Sequence, residues 1–252
     1  MDDYIMSCGR MKVMIWVNFK IYKQSFGDGA IRLAGICQKV VDETKVKIIP
    51  VVSAFDLFRV KKEFNGEVWV QHLDNFFEGK KTGWLSPLQA VALGANGTLL
   101  NHSERKLSPG QIRQFLAYLK REKWVKHWAK EMKSVNEKWS TRNEKFKVMV
   151  CFHSKGQVKK WLSKLNPPPD FVAYEPVGLI GSKTSVSEAQ PQMIKNIVEL
   201  LPKHRVIVGA GIHKMADVKK ALSLGVKGVL VSSDVVKAKN AYKELKELAL
   251  AF

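Results

Sequence analysis

The 252-residue sequence has few cysteines and no long apolar run. Its three cysteines, Cys8, Cys37 and Cys151, share no close spacing, which excludes a zinc knuckle and an even set of disulfides and indicates a reducing, cytoplasmic environment. The apolar run at 13–17 is too short for a signal-peptide core or a membrane span. Because internal repeats and Gly/Ser-rich linkers are also lacking, we predict a single domain.

Acidic side chains are scarce, with 23 against 42 basic ones, and the net charge is +19. Such an imbalance attracts anionic ligands, nucleic acid or acidic surfaces. The lysines are spread along the whole chain, which favours a solvated basic surface. Zinc-finger spacing, an aromatic RNA-binding signature and a Walker glycine loop are all absent from the sequence. Nucleic-acid binding therefore stays an alternative that charge alone supports.

Short, β-branched apolar runs alternate with helical patterns along the chain. They cover residues 12–18, 46–52, 67–72, 96–101, 147–152, 170–175, 205–209 and 226–232. Nearly continuous apolar content is typical of parallel strands that are buried on both faces. We therefore predict a protein of the α/β class, a single (β/α)8 barrel over residues 11–252, preceded by an extension at residues 1–10.

One helix start and one insertion stand out between these strands. Ser108, Pro109 and Gln111 predict an N-cap, a first-turn proline and a capping-box partner. The basic, tryptophan-rich stretch 120–147 is longer than a simple barrel connection. Its apolar stripe fits packing against the barrel or against another subunit.

Active sites of (β/α)8 barrels are built at the carboxyl ends of the strands. Polar residues follow four of the predicted strands there: Asn18, Lys20, Gln71, His72, Asn101, His102, Glu104 and Glu175. Removing a proton beside a carbonyl requires a base, a hydrogen-bond donor to the oxygen and a positive group for an anionic substrate. Glu175, His102 and Lys20 can supply these three functions. Each alone also fits a structural role, as a buried ion-pair partner, a core histidine or a surface charge.

The last two predicted strands are followed by small residues suited to an anion. Gly209, Ala210 and Gly211 allow backbone amides to approach a phosphate closely. Ser232 and Ser233 precede a helix, and barrel phosphate sites commonly use these two loops. The segment after Glu175 is rich in small and polar residues and fits a closing lid or an ordinary loop; these residues are Gly178, Gly181, Ser182, Thr184 and Ser185. We expect a phosphorylated substrate.

Several sequence motifs resemble triosephosphate isomerase. They are Val-Asn-Phe-Lys at 17–20, Asn-His-Ser-Glu-Arg at 101–105 and Tyr-Glu-Pro-Val-Gly-Leu-Ile-Gly at 174–181. Others are most similar to the archaeal branch of that family: Gln-His-Leu-Asp at 71–74, Thr-Gly at 82–83, Gly-Ala-Gly-Ile at 209–212 and Gly-Val-Leu-Val-Ser-Ser at 228–233. The resemblance implies interconversion of dihydroxyacetone phosphate and D-glyceraldehyde 3-phosphate through an enediolate, a step of glycolysis and gluconeogenesis, without metal or organic cofactor.

The resemblance also implies roles for individual residues. Glu175 would shuttle the proton, His102 would polarise the carbonyl, and Asn18 and Lys20 would complete the charged pocket. Glu104 would be the acidic partner of Lys20. Backbone amides would bind the substrate at Gly181, Gly211, Ser232 and Ser233. The family further implies a homo-oligomer, either a dimer or a tetramer.

Four positions depart from the family pattern. Ser182 and Lys183 follow Gly181 where Gly-Thr-Gly is common, and Gly178 replaces a larger residue of the lid. Asp234 replaces a small residue beside the expected phosphate amides, where it could cap the helix or compete with the phosphate. These departures leave open a catalytically impaired barrel that is retained as a phosphate-ligand or nucleic-acid binding module.

Overall fold

The computed structural model describes residues 13–76, 79–119, 146–179, 185–201 and 205–252. Within these residues, parallel strands form a closed barrel in sequence order, and the last strand pairs with the first. The strands are β1 Met14–Asn18, β2 Lys47–Val52, β3 Trp69–Val70, β4 Gly97–Leu100, β5 Lys147–Phe152, β6 Phe171–Tyr174, β7 Arg205–Val208 and β8 Gly228–Val231. This confirms the predicted (β/α)8 barrel.

The predicted strands are all present, and β3 differs most in length. The sequence predicts a strand over 67–72, whereas the regular ladder covers only Trp69–Val70. The backbone N–H of Val68 donates to the side-chain oxygen of Asn96 at 3.0 Å. Because a side chain takes this N–H in place of a neighbouring strand, the ladder begins one residue later.

Helices connect the strands on the outside of the barrel. They are α1 Asp28–Thr44, α2 Leu57–Glu63, α3 Pro87–Ala92, α4 Pro109–Leu119, α5 Lys155–Leu162, α6 Val186–Ala189, α7 Pro191–Leu200, α8 Met215–Ser223, α9 Ser233–Val236 and α10 Ala241–Ala249. At the start of α4, the Gln111 N–H donates to Ser108 Oγ at 3.2 Å and the Ser108 N–H donates to Gln111 Oε1 at 2.9 Å. The predicted capping box is confirmed.

The barrel interior is filled by aromatic and aliphatic side chains. Trp16, Trp69 and Phe171 pack edge to face, with ring centroids 4.9 to 5.7 Å apart. At the amino-terminal end of the strands, Glu67 accepts from Lys147 Nζ at 2.8 Å and also contacts Lys47 Nζ. A packed core therefore closes the barrel from below, and room for a ligand is left at the carboxyl ends.

Two predicted features fall outside the described residues. The extension at 1–10 is one of them, and the insertion at 120–147 is the other, apart from its last two residues, of which Lys147 begins β5. Among the described residues, no helix is both long enough and apolar enough to cross a bilayer.

Candidate active site

A cleft of about 480 Å³, part of it open to solvent, lies at the carboxyl ends of the strands. Its walls come from the ends of β1, β4, β6, β7 and β8. The predicted site residues that line it are Asn18, Lys20, His102, Glu175, Gly209, Ala210, Gly211, Ser232 and Ser233. Gly181 and its neighbours Ser182 and Lys183 lie outside the described residues. Residues that the sequence placed at the carboxyl ends of different strands therefore line one cleft, although they are distant in the sequence.

Lys20 is held in an uncommon backbone conformation at the end of β1. Its φ of 49° lies in the left-handed region, and its N–H donates to Asn18 Oδ1 at 3.1 Å. The Gln71 side chain donates to the Lys20 carbonyl at 2.9 Å. Lys20 Nζ forms an ion pair with Glu104 Oε1 at 2.6 Å, and the Glu104 side chain is 60% exposed. Because an exposed ion pair is weak, the ammonium can turn to an anionic ligand at little cost.

His102 is a buried, neutral hydrogen-bond donor. Its Nδ1 accepts from the Glu104 N–H at 3.2 Å, so the proton of the neutral ring lies on Nε2. Burial lowers the pKa of His102 to about 4, an effect that the charge of Glu104 opposes and that of Lys20 reinforces. At neutral pH the ring therefore presents an Nε2–H to the cleft and carries no charge.

Glu175 faces His102 across the cleft. Its Oε2 lies 3.9 Å from His102 Nε2, and because His102 is neutral this contact is not an ion pair. Glu175 is 3% exposed, and its Oε2 has no hydrogen-bond partner among the described residues. Burial raises the pKa of Glu175 to about 7, against the opposing effects of a Cys151 thiol hydrogen bond and the Lys20 charge. A carboxylate with such a pKa can take up a proton and release it again near neutral pH.

Gly209 packs against the Glu175 carboxylate. A Cβ at position 209 would lie 2.7 Å from Glu175 Oε1, closer than such atoms can approach. The sequence predicted Gly209 as part of a phosphate loop, and the structure adds the requirement of space for the base. In the same loop, Gly211 has a φ of 61°, which favours glycine.

Asp234 forms a pair that the sequence did not predict. Its Oδ1 lies 2.8 Å from His213 Nδ1, and both residues line the cleft beside Ser233. Asp234 does not cap the helix, since Ser232 occupies the N-cap position of α9. Of the two alternatives that the sequence left open for Asp234, capping is therefore excluded, and the carboxylate beside the expected phosphate amides is partnered by an imidazole.

His153 is a second residue that the sequence analysis missed. It directly follows β5 and contacts two backbone carbonyls, Glu175 O at 3.2 Å from Nδ1 and Asn101 O at 3.0 Å from Nε2. The strand-end rule could have found it, because it is a polar residue immediately after a predicted strand.

Comparison with known proteins places the chain in one family. The family model of triosephosphate isomerase matches residues 13–249. The chain is 37% identical to the triosephosphate isomerase of Methanothermus fervidus, over 93% of this chain and 96% of that protein. It is 35% identical to that of Archaeoglobus fulgidus, over 95% and 97%, and 32% identical to that of Methanocaldococcus jannaschii, over 94% and 98%. These relatives are archaeal, as the motifs indicated. The chain belongs to the triosephosphate isomerase family.

Proposed function

We propose that the chain interconverts dihydroxyacetone phosphate and D-glyceraldehyde 3-phosphate by proton transfer through an enediolate. One observation carries this proposal. The buried Glu175 Oε2, which has no hydrogen-bond partner among the described residues, lies 3.9 Å from Nε2 of the neutral His102. A base and a donor facing each other across a cleft are the groups that proton abstraction beside a carbonyl needs.

Glu175 acts as the base in this proposal. It takes a proton from the carbon next to the carbonyl and returns it to the neighbouring carbon, so it must be both a base and an acid. A pKa of about 7 suits both steps at neutral pH. His102 donates from Nε2 to the oxygen on which negative charge develops, and its low pKa keeps it neutral throughout.

The remaining site residues bind the negatively charged substrate. Lys20, oriented by Asn18 and partnered by Glu104, supplies the positive charge. Backbone amides then hold the phosphate at Gly209, Ala210, Gly211, Ser232 and Ser233, with Gly181 added from outside the described residues. The alternative of a catalytically impaired barrel is not favoured, because the side chains required for the reaction meet in one cleft.

The test is a coupled assay of D-glyceraldehyde 3-phosphate isomerisation by the wild type and Glu175→Gln. Removing the base should lower kcat by about a thousandfold, since a general base contributes roughly 10² to 10⁴. Glu43→Gln is a matched control, because it makes the same change away from the cleft. Glu43 lies on α1 and forms an ion pair with Lys246 on α10. A wild type without turnover would refute the proposed reaction, and equal rates in wild type and Glu175→Gln would refute the proposed base.

We further propose that the chain forms a homo-oligomer, either a dimer or a tetramer. Three large apolar side chains are exposed on the loops after β1 and β2: Ile21 at 77%, Phe26 at 53% and Phe55 at 91%. Exposed apolar side chains that cluster on adjoining loops are typical of protein interfaces. Light scattering should give more than one subunit for the wild type and a smaller mass for Phe55→Ser, and a monomeric wild type would refute this proposal.

A cytoplasmic location is also part of the proposal. The described residues include two free, buried thiols, Cys37 and Cys151. Unpaired thiols fit a reducing compartment, where disulfides are rare. Cell fractionation is the direct test, and recovery of the protein outside the cytoplasm would contradict it.

A further inference from the structure

His153 lies between the two strands that carry the proposed acid–base pair. In the barrel, β5 pairs with β4 on one side and with β6 on the other. His102 follows β4 and Glu175 follows β6, so their strands are not neighbours. His153 is the first residue after β5 and reaches both ends, with Nε2 3.0 Å from Asn101 O and Nδ1 3.2 Å from Glu175 O.

Both contacts require the ring to donate. A backbone carbonyl can only accept a hydrogen bond, so each ring nitrogen must supply an N–H. A neutral imidazole satisfies one carbonyl at a time, and an imidazolium satisfies both. In either form the rigid ring spans the two strand ends, with one nitrogen within hydrogen-bond distance of the carbonyl on each side.

Asn101 and His153 each make further hydrogen bonds. Asn101, with a φ of 58°, donates from Nδ2 to Cys151 O at 2.7 Å and accepts the Leu107 N–H at 2.9 Å. The backbone N–H of His153 donates to Gln157 Oε1 at 2.8 Å, at the start of α5. The His153 ring is therefore anchored at its own backbone, and its two nitrogens link the residue before His102 to Glu175.

We propose that His153 is a positioning residue that sets the separation of His102 Nε2 and Glu175 Oε2 by holding the backbone carbonyls of Asn101 and Glu175. The inference rests on the proposed isomerase function. It assigns His153 no contact with the substrate, so its effect falls on the reaction step and not on binding.

The test compares kcat and KM of His153→Leu and His153→Gln with those of the wild type. Leucine removes both donors, and kcat should fall about tenfold to hundredfold with KM nearly unchanged, since a misplacement on the order of 1 Å costs about 10² in rate. Glutamine restores N–H donors without a charge and should recover part of kcat. Val158→Ala, a change at a buried position of α5, controls for lost stability, since it should lower the unfolding temperature and leave kcat intact.

The outcomes separate this inference from the proposed function. Turnover by the wild type together with unchanged kcat in both His153 variants would overturn the positioning role and leave the isomerase function standing. A loss of kcat in Val158→Ala as large as that in His153→Leu would reduce the effect to stability and would also overturn it. If His153→Leu does not fold, the order wild type above His153→Gln above His153→Asn is expected, because asparagine is too short to span the carbonyls. A wild type without turnover would end both proposals.

Discussion

Replacing Glu175 by glutamine should make the protein more stable at alkaline pH while it lowers kcat by about a thousandfold. The carboxyl group is 3% exposed, and its burial raises the pKa from an ordinary value of 4.5 to about 7. Below pH 4.5 the group is protonated in both the folded and the unfolded chain. Between pH 4.5 and 7 the unfolded chain ionises first, so the free energy of unfolding falls as the pH rises. Above pH 7 the full cost is present, and glutamine avoids it because it has no charge.

The size of the gain follows from the two pKa values. Each pH unit by which a pKa moves corresponds to about 1.4 kcal/mol. Relative to the wild type, Glu175→Gln should therefore gain about 3 kcal/mol at pH 8.5 and less than about 1 kcal/mol at pH 5. His102, whose lowered pKa destabilises the fold as the pH falls below 6.5, affects both proteins alike and cancels in the comparison.

Urea denaturation at pH 5 and pH 8.5, at one fixed protein concentration, measures this difference. Glu43→Gln serves as a control of opposite sign. Hydrogen bonds from Lys246 and Tyr242 lower the pKa of the Glu43 carboxyl, so its loss should slightly weaken the fold at pH 8.5. If the free energies of unfolding of Glu175→Gln and the wild type differ by the same amount at both pH values, burial does not raise the pKa of Glu175.

Three further results are expected from the same cleft. Gly209→Ala should lower kcat by about tenfold or more, because its Cβ would displace Glu175 Oε1, whereas Gly35→Ala, with open space at its Cβ, should leave kcat unchanged; equal rates in both variants would contradict this reasoning. The value of kcat/KM should rise about tenfold per pH unit up to about pH 7, where Glu175 ionises, and a flat profile would exclude this carboxyl as the base. His213→Asn should leave the Asp234 carboxylate unpaired and raise KM by about tenfold, and adding Asp234→Asn should restore it. A double variant as weak as His213→Asn would show that the carboxylate does not repel the phosphate.

The fold and most of the site could be predicted because each rests on a local signal. The strands are nearly continuous apolar runs, because both faces of a strand in a parallel barrel are buried. Such runs can be recognised in the sequence without knowledge of the packing around them. The carboxyl ends of these strands lie on one face of the barrel, so polar residues after the runs are predicted to lie together there. Lys20, His102 and Glu175 were predicted in this way, and all three line the cleft. The capping box of α4 was predicted for the same reason, since its partners lie three residues apart.

Contacts between distant residues had no such signal. His213 lies in the loop after β7 and Asp234 in α9 after β8, 21 residues apart. His153 bonds to backbone carbonyls 22 and 52 residues away, and a carbonyl is present at every position of the sequence. The space that Gly209 leaves for Glu175 depends on a side-chain position and not on a motif. Such features arise from tertiary packing alone.

The aromatic side chains that fill the barrel interior under the cleft determine on which side molecules reach the cleft. Trp16 and Trp69 are fully buried and pack with Phe171 inside the barrel, so among the described residues these side chains block the path from the cleft toward the opposite end. Substrate therefore enters, and product leaves, on the side of the barrel where the strands end. A change that narrows the opening of the cleft therefore slows the forward and the reverse reaction together.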